Sequence, residues 1–337
     1  MNHTEFFDKM KQGYIARCYL FTGEENYVKR EALSQLEKKL LPEGLEALNE
    51  NILEGKTAED IIAACETLPM MAERRLVVVR DYAPLMAGNS RGEKEETARL
   101  TEYLDKLPET SCLVMYMRGA ADGRKALYKA FSEAKLARIV EFKALGESEL
   151  LKWLSTRFKR AGKSISREVA QRLAFLTGSD LTKLSGEVDK VCAHAGERVE
   201  IDESDLEVVT PTLECNVFQM IDMLIARKSA QVYSMLAVML DRGEDRIRIL
   251  AMITRQMRFM THIKLMDGRH LRDEEIIKAL GITSYGLRNT RRQIKSFTDA
   301  RLTAAYRDCV DTDQAIKSGV MTDQEGLERL LLKWLYS

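Results

Sequence analysis

The hydrophobic pattern of the chain changes abruptly near residue 146, so the two parts of the chain must form different kinds of structure. Before it, short apolar runs alternate with helical segments, whereas after it the pattern is almost wholly helical. The apolar runs that indicate strands lie at residues 18–22, 51–53, 76–79, 112–117 and 138–142. Near-continuous apolar strands separated by helices indicate a parallel sheet that is covered on both faces. The sequence therefore predicts an α/β domain followed by all-α structure.

Three domains are predicted along the chain, since a length of 337 residues suits two or three. The α/β domain occupies residues 1–145 and contains a polar, glycine-containing loop at residues 87–96. A small three-helix domain is expected at residues 146–210. A helical C-terminal domain, rich in Met, Leu and Ile, is expected at residues 211–337.

The charge balance limits the partners that the chain can attract by itself. Lys plus Arg and Asp plus Glu number 52 each, so the molecule as a whole has no strong field for nucleic acid. Any DNA contact must therefore come from a local patch or from partner proteins. The N-terminus is polar, and no apolar run approaches the roughly 20 residues of a membrane span. We expect a cytoplasmic protein that does not enter a membrane.

The six cysteines lie far apart, with no CxxC pair and no histidine at ligand spacing. A zinc ribbon needs paired thiolates to reach tetrahedral geometry, so the sequence excludes one, and we expect no metal site. Most of the cysteines have apolar neighbours and are typical of small buried hydrophobic residues in a reducing compartment. They are Cys18, Cys65, Cys112, Cys192, Cys215 and Cys309.

The segment after the first strand occupies the place of a phosphate-binding P-loop. Residues 23–30 read GEENYVKR against GxxxxGK[ST], so Gly23 and Lys29 fit the pattern while Val28 and Arg30 do not. Valine in place of the second glycine restricts the backbone, and arginine offers no oxygen to magnesium. Two glutamates in the loop would also repel a polyanion. We predict a degenerate P-loop that binds no nucleotide, with Lys29 as an exposed helix lysine.

The strand at residues 76–79 resembles a Walker B strand, which ends in carboxylates that hold Mg²⁺ and activate water. Here Asp81 is followed by Tyr82, so the second acid is missing. The favoured interpretation is a plain core strand that ends in a polar turn. The chain has the skeleton of a nucleotide-binding fold without its catalytic parts.

Two adjacent methionines, Met70 and Met71, form the most prominent candidate contact. Pro69 ends the preceding helix and favours an extended backbone at Leu68, which places the methionines at a turn. The charged sequence at residues 73–75 follows directly. Two large apolar side chains on a charged rim suit an anchor that enters a groove on a partner. The alternative is that both side chains pack inward under the sheet.

These features together resemble the delta-subunit family of bacterial DNA polymerase III clamp loaders, which is built on a nucleotide-free relative of the AAA+ module. The resemblance implies an AAA+-like parallel-sheet domain with a degenerate P-loop, a small helical lid domain and a C-terminal helical collar domain. The chain lacks the Ser-Arg-Cys motif that supplies an arginine finger in related subunits. The matching segments are residues 19–25, 68–79, 178–181 with Glu187 and Lys190, and 313–319.

The resemblance also implies a site for the sliding clamp. In this family two adjacent hydrophobic residues, at the end of a helix just before the third strand, bind the clamp, and here they are Met70 and Met71. The usual pair is bulkier, often leucine with phenylalanine, so the methionines depart from the pattern. Leu68, Arg74 and Arg75 are neighbouring candidates that would add to the contact.

Two basic clusters in the C-terminal region are further candidates. On a helix at residues 245–265, Arg248, Arg255 and Arg258 lie opposite an apolar stripe, and Arg291 and Arg292 belong to the second cluster. The resemblance implies a collar in which related subunits pack into a ring. Contacts between subunits are therefore the preferred use of these arginines, with DNA contact and plain solvation as the alternatives.

The function implied by the resemblance is mechanical. The protein would bind and open the sliding beta clamp for loading onto primed DNA, without cofactors or catalysis of its own, as a component of the polymerase holoenzyme. Its partners would be the clamp, the ATPase (gamma/tau) and delta-prime subunits, and primed DNA within the complex. The alternatives are an active P-loop AAA+ ATPase and a stand-alone DNA-binding regulator, which would bind DNA with a steep salt dependence.

Overall fold

The computed structural model describes residues 1–88 and 92–336. The chain forms two compact units, residues 1–145 and residues 146–337. The first contains a parallel sheet with helices, and the second is almost entirely helical, so the predicted α/β plus all-α fold class is confirmed. The finer division of the second unit, into a lid at residues 146–210 and a collar at residues 211–337, stays a prediction.

The sheet of the first unit accounts for the apolar runs of the sequence. Its inner strands are buried along almost their whole length, which explains why they lack a polar alternation. All five strands are parallel, in the order β2-β3-β4-β1-β5. They are β1 (Cys18–Thr22), β2 (Glu50–Glu54), β3 (Arg75–Arg80), β4 (Ser111–Tyr116) and β5 (Ala137–Glu141).

Six helices of the described residues accompany this sheet. The second begins just after β1 and buries an apolar stripe that includes Val28, Ala32 and Leu36. The fourth begins with a capping box between Thr57 and Asp60, which satisfies amides that the first turn leaves without partners. The helices are α1 (His3–Lys11), α2 (Asn26–Leu40), α3 (Glu46–Asn49), α4 (Ala58–Glu66), α5 (Glu93–Leu104) and α6 (Ala126–Glu133).

The polar loop predicted at residues 87–96 is only partly a loop. Asn89, Ser90 and Arg91 lie outside the described residues. From Glu93 onward the prediction is wrong, because α5 begins there. Three glutamates in the first turn of α5 interact favourably with the positive end of the helix dipole, so a segment that is polar enough for a loop is helical.

Among the described residues, the second unit contains ten α-helices and a short 3-10 helix (Ser204–Val208), with one two-stranded parallel pair, β6 (Ser164–Ile165) and β7 (Glu200–Ile201), that the sequence pattern did not predict. Its core runs along the sixth of these α-helices, where Ile249, Ile253 and Met257 are buried as predicted. The helices are α7 (Glu147–Arg160), α8 (Arg167–Thr177), α9 (Leu181–Ala195), α10 (Leu213–Ile225), α11 (Ser229–Asp241), α12 (Arg246–Gly268), α13 (Asp273–Leu280), α14 (Ser284–Ile294), α15 (Asp299–Lys317) and α16 (Asp323–Tyr336).

The cysteines have the environment that their apolar neighbours indicate. Five of the six are buried, and Cys192 is partly exposed. Within residues 1–88 and 92–336, no group of His, Cys, Asp and Glu side chains has the arrangement of a metal site. A search of the same residues finds no helix with the length and apolar character needed to cross a membrane.

Candidate functional site

Three chain segments meet at the carboxyl edge of the sheet, where ligands of open α/β folds bind. Because β1, β3 and β4 are parallel and adjacent, their ends bring Gly23, Asp81 and Met117 to the same edge. This edge contains the degenerate P-loop expected from the sequence.

Gly23 is packed so closely that no side chain fits at its position. Its φ is +117°, and a Cβ atom there would lie 2.2 Å from the carbonyl oxygen of Phe142. The N–H of Gly23 donates to Gly119 and the N–H of Glu25 donates to Phe142, both at 3.1 Å. A P-loop binds phosphate with backbone N–H groups that point at the ligand. These two amides are instead bonded within the protein.

Lys29 is completely buried, so the expectation of an exposed helix lysine is wrong. Its Nζ donates to the carbonyl oxygens of Gly23 and Met117, at 2.6 Å each. The carbonyl of Arg118 at 3.4 Å and the Oδ1 of Asn26 at 3.3 Å complete its surroundings. The ammonium group therefore joins the ends of β1 and β4 from within, and it does not point at a ligand.

The charge state of Lys29 follows from this position. Burial lowers the pKa of its amine to about 8, while the negative charges of Asp81 and Glu25 oppose the shift. Because the pKa stays above neutrality, the amine is mostly protonated at pH 7. The P-loop edge thus contains a buried cation that belongs to the protein itself.

The structure also defines the positions of Val28 and Arg30, the two residues that depart from the P-loop pattern. Val28 is 4% exposed and packs into the core beside the sheet. Arg30 is exposed on α2. Neither side chain supplies the flexible backbone or the hydroxyl oxygen that a nucleotide with magnesium requires.

Asp81 is bound to the loop that follows β4. Its Oδ1 accepts the backbone N–H of Arg118 at 2.8 Å, and its Oδ2 lies 2.6 Å from the Nε of the same arginine. Tyr82 is buried and donates its hydroxyl to Glu96 at 2.6 Å. These contacts match a core strand that ends in a polar turn.

The methionine pair lies at the opposite, amino edge of the sheet, in a turn of residues 67–71 that we call the methionine turn. It follows the end of α4 and leads into β3. Met70 is 57% exposed and Met71 is 85% exposed, so the alternative in which both pack inward is wrong. Leu68, at 72% exposure, adds a third apolar side chain to the same turn.

The two neighbouring arginines differ from the methionines because they bond inward. Arg75 is 5% exposed, and its guanidinium donates to the carbonyls of Thr67 at 3.1 Å and Leu68 at 3.2 Å. It supports the methionine turn from inside and is not available as a surface contact. Arg74 donates to three backbone carbonyls, those of Ile15, Glu109 and Ser111.

Asn49 is a site residue that the sequence analysis missed. It is the last residue of α3, it is fully buried, and it bonds the backbone of Met70 twice. Its Nδ2 donates to the Met70 carbonyl at 2.9 Å, and the Met70 N–H donates to its Oδ1 at 2.7 Å. A lone asparagine before a weak strand pattern reads as an ordinary loop residue, so no local signal distinguishes it.

Four of the five candidate arginines in the second unit have acidic partners. Arg258 is exposed and has no ion pair with any part of the chain that the structure describes. The paired ones are Arg248 with Glu244, Arg255 with Glu214, Arg291 with Asp267 and Asp273, and Arg292 with Asp222.

Comparison with known protein families covers both units of the chain. The family described as DNA polymerase III, delta subunit, matches residues 19–143. The family described as DNA polymerase III delta subunit, C-terminal domain, matches residues 214–334. The chain belongs to the DNA polymerase III delta-subunit family. The resemblance drawn from the sequence is thereby confirmed.

Individual relatives agree with this family. DNA polymerase III subunit delta of Bacillus subtilis is 27% identical, over 98% of this chain and 96% of its own length. A probable DNA polymerase III subunit delta of Aquifex aeolicus is 22% identical, over 84% of this chain and 80% of its own length. The solved structure of the Bacillus subtilis DNA clamp loader delta protein matches 99% of this chain and 100% of its own, with a TM-score of 0.61 and 25% identity.

The two family matches divide the candidate sites of this delta-family chain between them. The match at residues 19–143 contains both edges of the sheet, with the degenerate P-loop at one and the methionine turn at the other. The match at residues 214–334 contains all five candidate arginines. Each candidate site therefore lies in a region that is similar to the family.

Proposed function

We propose that the protein is a clamp-loader delta subunit that binds the sliding clamp through Met70 and Met71 and favours its open form for loading onto primed DNA. The observation that carries the proposal is the exposure of this pair, 57% and 85%, on a turn bonded to the core. Clustered apolar side chains that a fold leaves exposed are typical of interaction sites. The similarity to delta subunits, one of them a clamp loader protein by name, supports the same role.

The free energy available from burying the methionine pair is consistent with a role as an anchor in a larger contact. Burying two methionine side chains fully would contribute about 3 to 6 kcal/mol, at roughly 1.5 to 3 kcal/mol each. Association costs at least about 4 kcal/mol in lost translational and rotational freedom. The pair alone therefore gives weak binding, and Leu68, which is 72% exposed on the same turn, is the neighbour best placed to add to it.

The mechanism needs no covalent chemistry in this chain. ATPase (gamma/tau) subunits, arranged with delta-prime and this protein in a ring of collars, bind ATP and rearrange so that the methionine turn reaches the clamp. A ligand shifts a conformational equilibrium only through different affinities for the two states. The turn must therefore contact the open clamp better than the closed clamp. Of the five candidate arginines, Arg258 is the first candidate for contact with a partner subunit or with DNA within the complex, because it is exposed and has no ion pair among the described residues, while the other four remain candidates that already have an acidic partner.

Binding to the sliding clamp of the same organism tests the proposal directly. We expect the isolated protein to bind an immobilised clamp saturably in a surface-plasmon titration, because the methionine turn is exposed without any partner. A complete absence of binding, by a protein with an intact circular dichroism spectrum, would overturn the proposed function.

Nucleotide binding by this chain is expected to be absent. The amides of Gly23 and Glu25 donate to carbonyls within the protein, and the Lys29 ammonium donates to backbone carbonyls, so these three groups of the P-loop pattern do not point at a triphosphate. Isothermal titration with Mg-ATP should give only the heat of dilution, while a clamp-loader ATPase subunit measured alongside should give a saturable curve. A saturable heat from this protein would favour the alternative of an active P-loop ATPase.

A further inference from the structure

The backbone of the methionine turn is held from inside by two buried side chains. The Asn49 amide group bonds both the N–H and the carbonyl of Met70, at 2.7 and 2.9 Å. Arg75 bonds the carbonyls of Thr67 and Leu68, at 3.1 and 3.2 Å. These two residues come from outside the turn, one from the end of α3 and the other from the start of β3. The conformation of the turn is therefore fixed by the core of the first unit.

The support has a visible effect on Met71. This residue has a φ of +54°, in the left-handed region that side chains with a Cβ atom rarely adopt. Such a conformation persists only where the surroundings determine it. The two hydrogen bonds that hold the backbone of the preceding residue are the closest such constraint. The outcome is that the backbone turns after Met70 and leaves the side chain of Met71 85% exposed.

Every hydrogen-bonding group of the Asn49 side chain has a partner inside the protein. Besides the two bonds to Met70, its Nδ2 donates to the carbonyl of Leu45 at 3.1 Å, within its own helix. It is fully buried and makes no contact that a partner could use. A primary amide offers two donor hydrogens and a carbonyl acceptor, and here all of these have partners.

We infer that Asn49 is a positioning residue of the clamp-binding site, which fixes the backbone of Met70 so that both methionines are presented before the clamp arrives. The inference rests on the proposed function of the methionine turn. Preformed contact loops bind more tightly because less conformational freedom is lost on association. The buried asparagine thus contributes to clamp affinity without touching the clamp.

The variant Asn49→Ala tests this inference in the full chain, with two measurements on the same protein. Hydrogen–deuterium exchange should become faster in the peptide that contains Met70, because its amide loses its acceptor. Affinity for the immobilised clamp should fall by about tenfold or more, mainly through faster dissociation.

A matched control separates positioning from general loss of stability. Thr22 is 5% exposed at the opposite edge of the sheet, and its hydroxyl accepts the N–H of Ala121 at 2.7 Å. Thr22→Val loses one hydrogen bond between a buried side chain and the backbone, whereas Asn49→Ala loses three. We expect it to leave clamp affinity and exchange in the methionine turn at the wild-type values. Equal loss of affinity in Thr22→Val and Asn49→Ala would overturn the inference.

The two readouts distinguish the inference from the function on which it rests. Wild-type protein that fails to bind the clamp defeats both, and this outcome is visible before any variant is made. Wild-type binding with unchanged affinity in Asn49→Ala leaves the proposed function intact and overturns the positioning role. Unchanged exchange at Met70 overturns it as well, because the hydrogen bonds would then not hold the turn.

Discussion

Replacing Met70 and Met71 together with alanine is expected to remove detectable binding to the sliding clamp while the fold stays intact. The two side chains are 57% and 85% exposed, so their truncation leaves no cavity in the core. Losing about 3 to 6 kcal/mol of apolar burial in the complex corresponds to roughly a hundredfold to ten-thousandfold weaker binding. Surface-plasmon titration of the double variant over an immobilised clamp measures this loss.

The first unit itself supplies a control for this experiment. Met86 is another exposed methionine of the same unit, at 43% exposure, and it follows β3, at the opposite edge of the sheet from the methionine turn. Met86→Ala should bind the clamp as tightly as the wild type does. If the double variant of the methionine turn also retained full affinity, the assignment of this turn as the clamp site would be wrong.

The elements that can be predicted from the sequence are those whose hydrophobic pattern matches their burial in the fold. The strands β1, β3 and β4 are almost wholly apolar, and their burial on both faces is the direct reason. The helix α1 was not predicted, because only two apolar residues, Phe6 and Met10, reach the core from it. Its formation depends on docking to the rest of the unit, which a short polar sequence does not reveal.

In the candidate site, the features that depend on distant parts of the chain could not be predicted from the sequence. The exposure of Met70 follows from a local pattern, since Pro69 and the charged residues nearby favour a turn at the surface. The burial of Lys29 does not follow from a local pattern, because one of its hydrogen-bond acceptors is a backbone carbonyl 88 positions away. Asn49 likewise donates a hydrogen bond to a backbone carbonyl 21 positions away. Backbone acceptors carry no sequence signature, so buried polar residues that bond them are recognised only in the structure.

The variant Lys29→Met is expected to destabilise the first unit by about 2 to 4 kcal/mol, because the carbonyls of Gly23 and Met117 would lose their donor inside the protein. Lys38→Met, on the exposed face of the same helix, is the matched control and should have little effect. Hydrogen–deuterium exchange in peptides from β1 and β4 is the suitable measurement. Tryptophan fluorescence is not, since both tryptophans, Trp153 and Trp334, lie in the second unit.

The dependence of this difference on pH tests whether the buried amine is the cause. The pKa of Lys29 is about 8 in the folded protein, below the value of about 10.4 for an unfolded chain. Between these values the unfolded state binds more protons, so the free energy of unfolding of the wild type rises with pH in that range. Lys29→Met lacks this rise, and its stability deficit relative to the wild type should therefore grow as the pH increases above about 8. A deficit that stays constant across this range, after correction for intrinsic exchange rates, would show that the amine does not titrate in its buried site.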